Sequence, residues 1–211
     1  MLRSIAFFSG ILGVLLFTGS AIIGGAVYEN YSHISQFISE SYATGTEYGN
    51  ALRFYGYLPS GICFFVFAIL APKYLPNSKL LKIAFWAFAL FYGLGTIIVS
   101  FFPCDFGCNR EFIDPSLSQI IHNLTGALTY MFVPVSIVII GIKSMSWKMA
   151  SSYPYLTLGC GILAFVGMFG LTTDPNANYI GIFQRLTEGS ILLWIVTTAF
   201  QLKKKDSLST K

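Results

Sequence analysis

Residues able to do chemistry are scarce in this chain, which makes their spacing informative. Its 211 residues include thirteen Lys or Arg, nine Asp or Glu and two His. Gly181, Gln184, Arg185 and Glu188 fall at i, i+3, i+4 and i+7. That spacing draws one polar stripe along an otherwise apolar helix. Ser118, His122, Thr125, Gly126 and Thr129 make a second stripe, and Gly49, Arg53, Gly56 and Ser60 a third. Pro59 loosens the backbone beside the third. Each stripe lies toward the same end of its helix, so the simplest packing points all three at one another. The expected product is a polar pocket holding Arg53, His122, Arg185 and Glu188, with Ser39, Glu40 and Asp105 above it. Arg185 and Glu188 are close enough along the helix to pair. Two arginines and a histidine exceed what one glutamate neutralises, and surplus donors suit a phosphate or carboxylate, free or on a lipid headgroup. A buried cluster that only fixes helix register is the competing reading.

The connections at that end are chemically rich. Cys104 and Cys108 flank Asp105, followed by Arg110, Glu111 and Asp114. Three outcomes stand open for the cysteines: a local disulfide, free thiols, or a metal site completed by Asp105 and His122. The CxxxC spacing is a weak zinc signal without a second pair, and no metal is expected. Cys63 and Cys160 lie in apolar runs and read as small core residues. In the connection from Glu29 to Gly49, Tyr31, Ile34, Phe37, Ile38 and Tyr42 recur at helical spacing. That pattern predicts a short amphipathic helix at the membrane interface, serving as a shield or as a lid that turns Ser39 and Glu40 inward. Asn30-Tyr31-Ser32 matches a glycosylation acceptor only by its letters. No phosphate-cradling glycine loop and no GxSxG turn is present. Two histidines are too few for haem ligation or a three-histidine zinc hydrolase. No cofactor is expected.

The elements that must hold these residues follow from composition. The chain is 55% hydrophobic and only 10% charged, with mean hydropathy +0.67. Soluble domains carry about 25% charged residues, so a soluble domain, a nucleic-acid binder and a disordered chain are excluded. A membrane helix needs about 20 apolar residues. Six stretches qualify, near 5–28, 50–71, 83–102, 116–142, 153–171 and 180–202. Asp114 and Pro115 are start signals for the fourth, and Pro154 for the fifth. The fold class is therefore all-α, a polytopic bundle of six transmembrane helices. Residues 1–202 form one domain, and 203–211 form a short basic tail.

Ten of the thirteen basic residues, among them Arg3, Lys73, Lys79, Lys82, Lys143 and Lys203–Lys205, fall at one end of the bundle, and eight of the nine acids fall on the other half. The positive-inside rule puts the basic end and both termini in the cytoplasm, in a plasma or inner membrane. The net charge of +4 then reflects topology and calls for no nucleic-acid partner. Arg3 and the apolar run after it have the form of a signal peptide, but the run is longer than an h-region. Ser9–Gly13 and Ser20–Gly24 permit close helix approach, within the chain or in a dimer.

Several motifs occur in a telling order. Ile38-Ser39-Glu40 follows the first span and Phe102-Pro103-Cys104-Asp105 the third. His122-Asn123 with Gly126 lies in the fourth, and Gly181-Ile182-Phe183-Gln184-Arg185 with Trp194 in the sixth. Together they resemble the domain-of-unknown-function family 998, small six-helix membrane proteins that are mainly prokaryotic. The resemblance implies the topology and adds weight to Ser39, Glu40, Asp105, His122 and Arg185 as a shared site. It implies no reaction. Three functions remain: a binding protein for a small anionic molecule or lipid headgroup, a non-catalytic scaffold, and an enzyme on an outer-leaflet lipid. In the last, His122 would be the acid or base, Asp105 or Glu188 its orienting group, and Ser39 a possible nucleophile.

Overall fold

A computed structural model describes residues 1–147, 152–174 and 177–203. Six long helices follow one another, α1 (Leu2–Val27), α2 (Gly49–Tyr74), α3 (Lys79–Phe101), α4 (Leu117–Ser144), α5 (Tyr153–Leu171) and α6 (Ile180–Lys203). Each packs on its neighbours in sequence, and α6 closes the ring on α1. Five of them, all but α6, are long and apolar enough to cross a membrane. α6 has the length, but Gln184, Arg185 and Glu188 interrupt its first half. Among the described residues there is no strand. Lys204–Lys205 and the rest of the expected basic tail lie outside the described residues.

The helices end where the chemistry says they should. α4 begins two residues later than Asp114 and Pro115 suggest, because Ser116 is the cap: its hydroxyl accepts the Gln119 amide. Asp114 sits instead at φ +44° in the preceding loop. Pro154 lies in the first turn of α5. At the opposite end, Arg3 donates to the carbonyl of Leu202, tying α1 to α6. Lys203 lies 3.9 Å from the ring centre of Phe7.

The core is aromatic. Trp194 of α6 is fully buried and meets Phe88 at 4.7 Å, Phe85 at 5.7 Å and Phe67 at 6.2 Å between ring centres. Outside the ring the order inverts: Phe8, Leu15, Ile22, Trp86, Leu124 and Phe169 are exposed. So much outward apolar surface fits contact with lipid rather than water. The small-residue steps of α1 are used within the chain. Gly13 lies against Phe64, and Ser20 fills the space beside Gly56 of α2.

α2 and α3 each widen into a π-helical turn, at Arg53–Tyr57 and Ala89–Leu94. Pro59 supplies a cause for the first, since it lacks an N–H and crowds the carbonyl four residues back. The amide of Leu58 reaches Arg53 O instead. In the second, the carbonyls of Phe91 and Tyr92 are taken by the hydroxyls of Thr129 at 2.6 Å and Thr96 at 2.7 Å. Helix backbone freed inside a membrane needs such partners.

Where α2 crosses α3, a side chain at Gly93 would lie 2.7 Å from the Phe65 backbone nitrogen. Backbone cannot swing aside as a side chain can. Gly93→Val should therefore destabilise by about 3 kcal/mol or more. Gly159, with open space around it, should accept alanine with a gain of roughly 0.5–1 kcal/mol. Thermal denaturation of both variants in detergent checks the contrast.

Candidate functional site

At the end of the bundle opposite Arg3 and Lys203, the 28–48 connection does not form the expected amphipathic helix. It runs as turns and one buried 3-10 turn, Ile38–Tyr42. Asn30 at φ +57° and Gly45 at φ +84° interrupt any longer helix. More important, its backbone bonds elsewhere. Ile38 N–H donates to Gln184 Oε1 at 2.5 Å, Ile182 N–H to Ile34 O at 3.2 Å, and Thr44 N–H to Cys104 O at 2.8 Å. The segment is a plug seated on the helix ends.

The arginines hold it there. Arg185 donates to Gln36 O at 2.8 Å, to Gly181 O at 3.0 Å and to the Tyr31 hydroxyl at 2.6 Å. Arg53 donates to Tyr42 O at 2.7 Å and to Asn50 Oδ1. Arg110 meets Glu40, donates to Ser35 O at 2.7 Å and lies over the Phe37 ring. Glu40, buried, also accepts the Phe37 amide at 2.8 Å and Gln36 Nε2 at 3.1 Å.

A second connection closes beside the plug. Cys104 and Cys108 are joined as a disulfide, which sets aside free thiols and a cysteine metal site for this state. Ser39 Oγ lies 3.2 Å from Cys108 Sγ. The first turn of α4 stitches this loop down. Gln119, fully buried, accepts the Asp105 amide at 2.7 Å and donates to Cys108 O at 3.2 Å. Ser118 donates to Pro103 O at 2.6 Å. His122 Nδ1 lies 3.0 Å from Phe102 O. A carbonyl only accepts, so that nitrogen carries the proton.

Below the plug lies a cavity of about 370 Å³. Every helix contributes to its wall: Phe17 from α1, Tyr57 from α2, Tyr92 from α3, Tyr130 from α4, Leu171 from α5 and Glu188 from α6. The two π-turns place Tyr57 and Tyr92 there. The plug adds Ile38, Ser39 and Tyr42, and the disulfide loop adds Cys108 and Arg110. Burial pushes the Tyr42 phenol above its ordinary value, so it stays an uncharged hydroxyl. Gly126 also lines the space, and a side chain added there would meet nothing within 4 Å.

The expected site is therefore divided. Ser39, His122 and Glu188 reach the cavity. Arg53, Arg185, Glu40 and Asp105 do not line it; they hold the wall and the loops. Arg185 and Glu188 do not pair. Glu188 Oε2 accepts from Tyr92 at 2.8 Å and Oε1 from Tyr130 at 2.8 Å. The expected surplus of cationic donors in the pocket fails for this reason: the two guanidiniums point at main-chain oxygens, the Asn50 side chain and the Tyr31 hydroxyl. Nor is His122 oriented by a carboxylate, since its Nδ1 faces a carbonyl and Asp105 faces Ser116. Tyr92 and Tyr130 are the residues sequence reasoning missed. The signal was present, since a phenol deep in an apolar span needs a partner for its hydroxyl.

A family model described as "Protein of unknown function (DUF998)" matches residues 11–201. The chain belongs to the DUF998 family. No curated protein and no solved structure matches it. The matched range takes in the plug, the disulfide loop and every cavity residue, so the whole site lies inside the part of the chain that defines a DUF998 member.

Asp105 accepts the Ser116 hydroxyl at 2.5 Å and its amide at 3.1 Å, which holds its carboxyl below the usual range. A depressed pKa gives stability that is present above the ordinary carboxylate range and lost as pH falls through the folded value. Protection of the Ser116 amide, measured as its exchange rate relative to the intrinsic rate at the same pH, should therefore persist until pH drops below that range. In Asp105→Ala that protection should be lost at every pH. Arg185→Gln should accelerate exchange across residues 31–42 by at least tenfold and lower stability by roughly 2 kcal/mol, since hydrogen bonds to charged groups contribute about 1.5–3 kcal/mol.

Proposed function

We propose that this DUF998 member crosses the membrane six times, with both termini and the lysine-rich end in the cytoplasm, and binds a small molecule in the cavity at its outer end. Charge supports the orientation. Arg3, Lys73, Lys79, Lys82, Lys143 and Lys203 all belong to one end of the ring, and the plug and disulfide loop to the other. The sixth crossing is supported by the seating of α6, whose Trp194, Ile195 and Ala199 are fully buried in the bundle. Its polar first half faces the plug and the cavity rather than lipid.

One observation carries the binding reading: all six helices and both outer connections converge on a single space of about 370 Å³. Ligand pockets run from about 300 to 1,000 Å³ and combine apolar walls with a few placed polar groups. Here aromatic rings supply the walls, and Ser39, His122, Gln184 and Glu188 supply the polar points. A cluster that merely fixed helix register would pack its polar groups against each other and leave no such space. The arginines do serve that structural role, around the cavity and outside it.

The test uses a wall glycine with room to grow. Gly126→Leu should fill the cavity and fold normally, with Gly159→Leu as a control at an open site away from the cavity. In a non-ionic detergent, thermal denaturation is followed with small cationic, neutral and anionic probes. At 100 times the dissociation constant a ligand stabilises by about 2.7 kcal/mol. At least one probe should raise the midpoint of the wild type and of Gly159→Leu, and lose that effect in Gly126→Leu. Identical responses in all three proteins would refute a cavity site.

A further inference from the structure

We infer that the cavity is built for an organic cation, with Glu188 as its counter-charge and the surrounding rings as its apolar bed. The inference rests on the binding reading above and names the ligand class. It starts from an imbalance. Glu188 is 8% exposed, and a carboxylate so placed calls for a cationic partner. None is supplied. Among the described residues the ion pair is Arg110 with Glu40. Arg185, one turn from Glu188 on the same helix, turns its guanidinium to Gln36 O, Gly181 O and Tyr31. Arg53 faces Tyr42 O and Asn50. The described lysines, Lys73, Lys79, Lys82, Lys143 and Lys203, sit at the opposite end of the bundle.

The partners Glu188 does have leave it half satisfied. Tyr92 donates to one oxygen and Tyr130 to the other. A carboxylate offers about four lone-pair sites, two per oxygen. Two phenols fix its orientation and leave acceptor capacity toward the cavity it lines.

The walls suit a cation equally well. Tyr42 and Tyr57 meet at 4.4 Å between ring centres, Phe17 and Tyr57 at 5.1 Å, and Phe17 and Tyr92 at 6.5 Å. They form one continuous aromatic surface beside the carboxylate. Ring faces attract ammonium groups, and several rings around one carboxylate make a cage for them. The other charged group on the lining, Arg110, is neutralised by Glu40 and capped by Ser35 O, so it does not offer an anion site. Of the remaining titratable groups facing the space, Tyr42 is an uncharged phenol, and His122 carries its Nδ1 proton toward Phe102 O.

Three probes of one shape separate the possibilities: choline, its uncharged isostere 3,3-dimethylbutan-1-ol, and the anion 3,3-dimethylbutyrate. Each is titrated by calorimetry and thermal shift in a maltoside detergent that carries no choline headgroup. Wild-type protein should bind choline at least tenfold more tightly than the alcohol, and the butyrate weakest. Glu188→Gln keeps the shape and should lose at least tenfold in choline affinity, with the alcohol unchanged. Gly126→Leu should lose all three. If the alcohol or the butyrate binds as well as choline and Gly126→Leu abolishes it, the cavity stands as a site and the cation inference is overturned. If no probe binds, the cation inference is overturned; if all bind equally to Gly126→Leu, the binding reading falls with it. Should Glu188→Gln fail to fold, the ranking of the three probes on wild-type protein decides the matter alone.

Discussion

The site depends on how Arg185 is held. Its guanidinium reaches out of α6 and grips the carbonyl of Gln36, the carbonyl of Gly181 and the hydroxyl of Tyr31. Backbone folded down onto the ends of a helix bundle has carbonyls that water no longer serves, and a guanidinium with five donors in a fixed fork serves several at once. Arg185 thereby sets how deep the 28–48 connection sits. The depth of that connection places Ser39 and Tyr42, and these complete the wall of the cavity.

Arg53 and Arg110 repeat the same solution from α2 and from the disulfide loop. The consequence for charge is indirect. Three arginines at one end would ordinarily make that end attractive to anions. Here each is turned toward neutral carbonyls or, for Arg110, toward Glu40. Arg53 and Arg185 stay in the framework and Arg110, on the cavity lining, is met by Glu40, while the carboxyl of Glu188 faces the cavity without an ion-pair partner among the described residues. Framework and interior therefore carry opposite character, although they stand one helical turn apart at Arg185 and Glu188.

Much of the architecture was legible in the sequence. Every apolar run became a helix within a few residues of its expected bounds, because charge and proline mark the ends of a membrane helix strongly: Lys79 opens α3, and Pro154 lies in the first turn of α5. Two of the three polar stripes converge as expected, with His122 and Thr129 of α4 and Gln184 and Glu188 of α6 on one space, whereas Gly49, Arg53, Gly56 and Ser60 of α2 do not line it. Ser39, His122 and Glu188 do meet at one space. What the stripes could not show was direction. Arg185 shares a stripe with cavity residues, yet a long side chain reaches several ångströms from its Cα and takes whichever acceptor the distant chain presents. The 28–48 segment misled for a related reason. Ile38 and Tyr42 turn inward, Tyr31 and Phe37 are half-buried and Ile34 is exposed, so the helical spacing marks no continuous buried face; successive turns present these residues instead. Tyr92 and Tyr130 were hidden inside apolar runs, where a phenol counts as one more aromatic ring until its partner on another helix is known.

The paired π-turns carry a further implication. Each holds one residue more than the α-helical path requires, and a residue in an α-helix corresponds to about 100° of rotation. Above its π-turn, each helix is therefore indexed differently from the stretch below it. In α2 and α3 the lower segments aim Phe67, Phe85 and Phe88 at Trp194, while the turns aim Tyr57 and Tyr92 at the cavity. The two halves of the bundle can in this way follow separate angular programmes on a single pair of rods. A chain built so can vary its upper chamber by gaining or losing one residue at a wide turn, leaving the tryptophan-centred base undisturbed.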